Sequence, residues 1–349
     1  METLQRMANY RGFLFMLAIW ITIIPILVDY SIADRRLGKR CPSCSQDRSG
    51  SVTRTLIDNP CGEEMPRRFR AMIPEQYENK GLDLRGLQET RMSGGSQFCL
   101  GQRATFLFDF LKKQGRPIIV DLRLESHGFI DEQPISWFCP RNWERVPHLE
   151  SYSEALSDFE LNDFNLLRNS HTATVYSKTG ETPYGPKTIA FNSTLLESKV
   201  VVDAGMEYAR LYWIDHRRPT DAQVEELVRL FSNLENDHWL HFHCKAGHGR
   251  TTTAMIMRDM YLNAHNVSIE IILKRQHVLG DADLTNVERH SGTYKHKWAL
   301  ERRDFLFSFY EFCKLMKAHP NLSWSEFSES QLTWMQRIRR WFSGSRTCS

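Results

Sequence analysis

Cys244 and Arg250 enclose five residues, Lys245-Ala246-Gly247-His248-Gly249, and Thr251 follows directly. A cysteine thiolate is a strong nucleophile. A guanidinium presents a planar fork of donors that matches two phosphate oxygens, which the point charge of lysine does not. The spacing alone decides nothing, because Cys61/Arg67 and Cys139/Arg145 repeat it. A phosphate cradle also needs converging backbone N–H groups, glycine for unusual backbone angles and a helix N-terminus behind it. The Cys61 segment carries Glu63, Glu64 and Pro66; the Cys139 segment carries Pro140 and Glu144 and no glycine. Only the Cys244 loop combines Gly247 and Gly249 with no acidic residue, an apolar run before it and a helical pattern after it. There, amides, a helix terminus and nearby cations are expected to bring a thiol from about 8.5 into the range of about 3.5–7.5. Arg250 would clamp the phosphate, the Thr251 hydroxyl would help the sulfur leave in a second step, and His243 would orient the loop.

Phosphoryl transfer to a thiolate leaves an alkoxide that needs a proton, so a carboxylic acid on a separate loop is required. Asp215, in Tyr212-Trp213-Ile214-Asp215-His216-Arg217-Arg218-Pro219, is the best candidate. Capping a turn, or pairing with Arg217, is the alternative role for that carboxylate. Lys245 and His248 flank the loop, Arg217 and Arg218 flank the acid, and Arg123 ends a neighbouring strand. Each alone reads equally well as a solvated charge. Together they predict a polyanionic substrate. No aromatic wall suited to phosphotyrosine is identifiable.

The elements that must position these groups follow from periodicity. Ile118-Ile119-Val120 and Trp239-Leu240-His241-Phe242-His243 read as buried strands. Asp221 to Asn233 reads as a helix, with Val224, Leu227, Val228, Phe231 and Leu234 on one face. Thr220 and Gln223 make a capping-box pattern at its start. A helix begins near Thr251, and a Phe-rich helix runs from about Trp298 to Lys317. Tyr152 to Leu167 has helical spacing, and 168–200 reads as short strands and loops. Alternating strands and helices predict an α/β layer with ligands at the strand ends.

The 349 residues are 41% hydrophobic and 25% charged, which excludes disordered and fibrous classes and leaves an enzyme-sized body. A net charge of +3, from 45 basic and 42 acidic side chains, argues against a general nucleic-acid binder, so any basic site is local. Eight cysteines are too dilute for a disulfide scaffold. Cys41-Pro42-Ser43-Cys44 has no second pair at zinc-ligand spacing, which leaves a small disulfide loop or two thiols. Phe13 to Val28 is apolar, with Arg6 and Arg11 before it, Asp29 after it and Ser31-Ile32-Ala33 beyond. Residues 1–33 thus read as a secretory signal, with a membrane anchor as the alternative. Residues 34–65 look loop-like, 66–320 form the globular body, and 321–349 are a tail with the basic, aromatic run Trp334 to Phe342.

The loop H-C-K-A-G-H-G-R-T resembles the signature of the cysteine-based protein tyrosine phosphatases, and more closely that of their phytase branch, the bacterial tyrosine-phosphatase-like inositol polyphosphatases. Gly81-Leu82 through Ser93-Gly94-Gly95-Ser96-Gln97-Phe98 resembles the family's G-L…S-G-S-x-Q-F stretch. Val120 to Phe129 with Ile135-Ser136-Trp137 is similar to its D-L-R-x-E-S-H-G…S-W stretch, and Asp215-His216…Pro219 to its D-H-x-x-P acid loop. The resemblance spans about 65–315. It implies an α/β phosphatase domain, a central sheet flanked by helices, with a smaller partial β-barrel inserted. It also implies stepwise hydrolysis of inositol hexakisphosphate through a phosphocysteine, with no metal or other cofactor. By position Cys244 resembles the nucleophile, Asp215 the acid and Arg250 the phosphate clamp, with His216 and Lys245 binding substrate. Arg70 and the Lys295/Lys297 pair resemble outlying basic contacts. Gly95 inside the usual S-G-S run and His248 at an often apolar loop position depart from the pattern. Two rivals stand beside this reading: a phosphoprotein or phosphoinositide phosphatase of the same fold, and a polyphosphate-binding module without turnover.

Overall fold

The computed structural model describes residues 55–58, 61, 64–138, 140–142, 161, 164–179 and 182–331. The strands are Thr55–Ile57 (β1), Arg70–Ala71 (β2), Met92–Ser96 (β3), Arg116–Asp121 (β4), His127–Ile130 (β5) and Gln133–Trp137 (β6). They continue as Thr172–Thr179 (β7), Thr182–Ala190 (β8), Thr194–Leu195 (β9), Glu207–Arg210 (β10) and His238–Cys244 (β11). The main helices are Gln102–Gln114 (α1), Glu197–Asp203 (α2), Asp221–Ser232 (α3) and Gly249–Asn263 (α4), followed by Ile269–Gly280 (α5), Lys295–Met316 (α6) and Trp324–Gln331 (α7).

One sheet has the order β10-β4-β11-β3-β2. It is parallel except for β2, which pairs antiparallel with β3. β11 lies in the middle, and every one of its residues is buried, because helices cover both faces. Its side chains alternate between two cores. Leu240, Phe242 and Cys244 face the cluster that holds α4, α6 and α7, while Trp239 faces the cluster of α1 with Ile119 and Phe98. The loop that follows Cys244 therefore starts from a fully buried strand in the middle of the sheet. The crevice at the carboxyl ends of β3, β4 and β11 is where an open α/β sheet places its ligands.

α3 carries the capping box read from the sequence: the Thr220 hydroxyl accepts from the Gln223 N–H, and the Gln223 side chain accepts from the Thr220 N–H. Its Val224, Leu227 and Phe231 face is buried. Such a cap is worth ~1 kcal/mol. Here it also holds the acid loop, because Gln223 Nε2 donates to the Tyr212 carbonyl at 2.8 Å.

The second sheet has the order β8-β7-β1-β6-β5-β9. Among the described residues its ladders form an open row, and no pairing joins β8 to β9 to close a barrel. Two boundaries differ from expectation. Thr55-Leu56-Ile57, inside the segment expected to be loop-like, forms β1 between β6 and β7, because Leu56 is fully buried there. The body also extends past 320: α7 buries Trp324 and Phe327 against Phe305, Phe309 and Phe312. Residues 168–200 hold the long β7–β8 hairpin rather than only short strands. Helix is described at 161 and 164–170, and the rest of the Tyr152–Leu167 expectation lies outside the described residues. So do the signal or anchor at 1–33, the Cys41/Cys44 pair, the Cys139 side chain and Trp334 to Phe342.

Cys61 is disulfide-bonded to Cys99 across 38 residues of sequence, so it is no nucleophile. Loop-closure entropy assigns such a link ~4 kcal/mol.

Candidate active site

Cys244 ends β11, and the loop turns into α4, whose first turn holds Arg250 and Thr251. The turn depends on Gly247. Its φ is +67°, and a Cβ there would lie 2.5 Å from the Gly95 and Ser96 backbone. Gly94 is equally confined, since a Cβ would meet Met255 and Thr251 of α4. The Ser93-Gly94-Gly95-Ser96 run thus lets β3 approach the cradle. The strand end is pinned by backbone bonds: Gln97 N–H donates to the Cys244 carbonyl at 2.9 Å and Leu122 N–H to the His243 carbonyl at 3.0 Å. The Thr251 hydroxyl lies 3.2 Å from Cys244 Sγ and 3.4 Å from the Gly95 carbonyl, either of which it can serve as donor.

Arg250 is held by Glu125, which takes Nη1 at 2.7 Å and Nη2 at 2.8 Å. Nη1 also donates to the Trp213 carbonyl at 3.2 Å. Its buried Nε has no hydrogen-bond partner among the described residues and lies 3.4 Å from Asp215 Oδ1. One edge of the fork is spent on positioning and the other is left for an oxygen anion.

Asp215 sits on a loop bent by positive φ at Tyr212 and His216. Asn142 Nδ2 donates to its Oδ2 at 2.8 Å, and the His216 N–H donates to its Oδ1 at 3.0 Å. Asn142 is brought there by Arg141, whose guanidinium lies 4.4 Å from the Tyr294 ring centroid. Burial would raise the Asp215 carboxyl, but Arg250, His216 and these donors hold it well below the ordinary carboxylate value. In the free protein it is a carboxylate. It pairs with Arg250 and not with Arg217, which lies over the Trp298 ring.

A cavity of about 900 Å³ opens over Cys244, Lys245, Ala246, His248, Gly249 and Arg250. Asp215, His216 and Lys295 also line it. Arg67, Arg68, Lys178, Arg289 and Arg302 line it unforeseen, and Asp58 and Asp215 are its only acids among the described residues. Arg302 donates to the His216 carbonyl at 3.0 Å, and its buried Nη1 has no hydrogen-bond partner among the described residues. His248 Nε2 donates to the Asp281 carbonyl at 3.0 Å. Burial, then Arg68 and Arg289, lower its pKa to about 4, which leaves it neutral near pH 7.

Several expected substrate contacts lie elsewhere. Arg123 is fully buried: its Nη1 donates to Asp58 at 2.8 Å and Gln97 at 2.9 Å, and its Nε to Glu125 at 3.0 Å. It braces the site from behind because Asp58 and Gln97, from distant segments, and the neighbouring Glu125 enclose it. Arg70 lies beneath the loop and donates to the Gly247 carbonyl at 3.0 Å and Thr252 at 2.9 Å. Lys297 is exposed over Trp298, outside the cavity, while Lys295 lines it. Residues two apart on a helix point to different sides. Arg218 pairs with Asp221 and Glu301 instead of facing the substrate.

Behind the cradle, His243 Nε2 lies 2.6 Å from Glu197 Oε1, so its orienting partner is a carboxylate on α2. His127 Nε2 lies 3.2 Å from Glu197 and 3.3 Å from Asp121, and Arg210 Nε lies 3.0 Å from Asp121. Asp58, Glu125 and Glu197 were missed as site residues. Only the D-L-R-x-E-S-H-G stretch, which contains Glu125, gave a signal for it.

This buried network predicts how stability varies with pH. Burial pushes Glu125 and Glu197 up, but Arg250 and Arg123 bring the first down to about 2 and His243 brings the second to about 2. Their stabilisation is present above the ordinary glutamate value of 4.5 and lost as pH falls through about 2. His241, lowered by burial to about 3, costs stability below 6.5, where the unfolded chain takes the proton first. His127 acts on the other side. Burial and Arg123 lower it, but Asp121 carries it up to about 9, so its contribution is present below 6.5 and lost as pH rises through about 9. A Tm maximum near pH 6.5 is expected, and His127→Gln should remove the alkaline decline. A wild-type Tm still rising at pH 9 would contradict the pairing.

A family model described as PTP-like phytase, inositol hexakisphosphate, matches residues 120–262. Two solved structures share the fold. The PTP-like myo-inositol phosphatase from Mitsuokella multacida, in complex with myo-inositol-(1,3,4,5)-tetrakisphosphate, is 26% identical with a TM-score of 0.70, covering 84% of this chain and 50% of that one. The PTP-like phytase from Bdellovibrio bacteriovorus is 28% identical with a TM-score of 0.61, covering 79% and 95%. The match to the PTP-like phytase model thus covers the strand-to-helix loop and the acid loop, and the fold is similar to that of two solved members of that family. Among curated proteins, effector protein hopD2 of Pseudomonas syringae pv. tomato is 27% identical over 252 residues, 71% of this chain. The chain spans about half of that relative's length, 53%.

Proposed function

We propose that this protein is a cysteine-dependent phosphatase that removes phosphates stepwise from inositol polyphosphates, inositol hexakisphosphate among them. One observation carries the reading: Cys244, Arg250 and Asp215 meet in a single cavity whose remaining charged lining is almost entirely basic.

Cys244 Sγ attacks phosphorus while the Arg250 edge bearing Nε holds non-bridging oxygens. The ester P–O bond breaks, and the leaving oxygen takes the proton of Asp215. A polyanion settling beside Arg250 offsets the guanidinium field at Asp215 and raises its pKa, so the complex can hold the acid protonated. In the second step water attacks phosphorus and gives its proton to the Asp215 carboxylate. The S–P bond breaks with its electron pair returning to sulfur, beside the Thr251 hydroxyl. Guanidinium groups and the helix N-terminus of α4 supply the charge stabilisation, so no step calls for a metal or other cofactor.

The test is turnover of inositol hexakisphosphate, a phosphotyrosine peptide and a phosphoinositide head group by the purified chain, with and without a chelator. Preference for the hexakisphosphate, unaltered by the chelator, is the expected result. Preference for the peptide would favour the phosphoprotein reading, and binding without turnover a capture module. Export belongs to the same proposal. The Cys61–Cys99 disulfide suits an oxidising compartment, and Phe13 to Val28 suits a signal, with anchoring through the same residues as the alternative. Recovery of the native chain in a reduced, cytoplasmic form would contradict export.

A further inference from the structure

Asp58 stands three residues before Cys61, and Gln97 two residues before Cys99. The disulfide therefore joins two segments that meet at one atom. Arg123 Nη1 donates to Asp58 Oδ2 at 2.8 Å and to Gln97 Oε1 at 2.9 Å. Arg123 holds Glu125, and Glu125 holds the two terminal nitrogens of Arg250. Asp58 has a second role. Its Oδ1 lies 2.7 Å from Lys245 Nζ in the cradle and accepts from Ser136 at 2.6 Å. Gln97 has one as well, through its N–H to the Cys244 carbonyl. Burial would raise the Asp58 carboxyl, but Lys245 and Arg123 hold it ionised.

β1, the strand that delivers Asp58, is three residues long and pairs through short ladders with β6 and β7, to which the Asp58 N–H adds one bond to the Pro134 carbonyl at 3.0 Å. A covalent link three residues away limits how far that strand end can drift. We propose that the Cys61–Cys99 disulfide is a positioning element of the active site. It acts through Asp58 on Lys245 and, with Gln97, through Arg123 on the phosphate clamp, so turnover depends on its oxidised state. Cys99 is buried and Cys61 half-buried. Reduction by a dithiol consumes two reductant thiols, yields the two cysteine thiols and leaves the reductant as its disulfide, by way of a mixed disulfide.

The proposal rests on the phosphatase reading, and its signature is opposite to the usual one. A reductant protects a catalytic thiol such as Cys244 and should leave its activity unchanged or raised. Here, dithiol treatment of the full chain should lower kcat on an inositol polyphosphate about tenfold, the scale of a sub-ångström displacement of positioned groups, with the far-UV CD spectrum unchanged. The Cys61→Ser, Cys99→Ser double variant should start at that lower rate and ignore the reductant. Asp58→Asn should be similarly slow, and reduction should add little to it, because both changes break one connection. Wild-type turnover that is unchanged or raised by the dithiol would overturn the proposal. So would a full further loss on reducing Asp58→Asn, or wholesale unfolding on reduction, which would make the link a general brace. No turnover by the oxidised wild type on any phosphate ester would instead remove the phosphatase reading itself.

Discussion

Replacing Cys244 by serine should reduce inositol-phosphate turnover by ~10⁴-fold or more while leaving substrate binding nearly intact, because it removes the nucleophile and spares the cradle. The serine hydroxyl occupies almost the same space at a buried site, so the fold tolerates it. Its oxygen, however, must lose a proton that no side chain there is placed to accept. The Thr251 hydroxyl, 3.2 Å away, is a donor to the sulfur, suited to a leaving thiolate and not to activating a serine. Equilibrium binding of the hexakisphosphate to the variant, beside its kcat, separates the two effects. Near wild-type turnover would remove Cys244 from the chemistry.

The second large effect is Asp215→Asn, expected to lower kcat on an inositol polyphosphate by ~10²–10⁴-fold, the range for a general acid. The loss should shrink on an aryl phosphate, whose leaving oxygen needs no proton. The pH dependence is the sharper readout. In the free protein Arg250, His216 and Asn142 keep the carboxyl ionised, and a bound polyanion raises it. In the complex the acid form is therefore lost as pH rises, and kcat falls on the alkaline side. Asparagine cannot titrate, so its profile should be flat there. An unchanged alkaline limb in the variant would assign that limb to another group.

These expectations draw on residues that a single sequence reveals unevenly. The Cys244 loop was legible because its chemistry is local: two glycines, the absence of acids and a strand-to-helix switch lie within nine residues. Helix α3 was legible for the same reason, since a capping box and a hydrophobic face are short-range patterns. Arg123, read as a cation at a strand end, and Arg70, which resembles an outlying basic contact of the family, both lie behind the cradle instead of facing substrate. Their acceptors come from Asp58, Gln97, Glu125, Gly247 and Thr252, and only a folded chain shows that these enclose them. Glu197 escaped notice because nothing in its own segment marks it as the partner of His243. Lys295 and Lys297 differ only in helical phase. Had the start of α6 been placed at Lys295, the phase would have selected Lys295 and added Arg302, seven residues on and on the same face. The open second sheet likewise depends on pairing β1 with strands more than seventy residues away.

The account turns on a phosphoryl group passing to one sulfur atom. Rapid acid quenching of the Asp215→Asn variant during turnover of an aryl phosphate, whose leaving oxygen needs no proton so that only hydrolysis of the intermediate is slowed, followed by peptide mass spectrometry, tests this directly. The peptide containing Cys244 should carry the mass of one phosphoryl group, and the same peptide from Cys244→Ser should carry none. A turning-over enzyme that never shows phosphorus on that peptide, or shows it on another residue, would contradict the account.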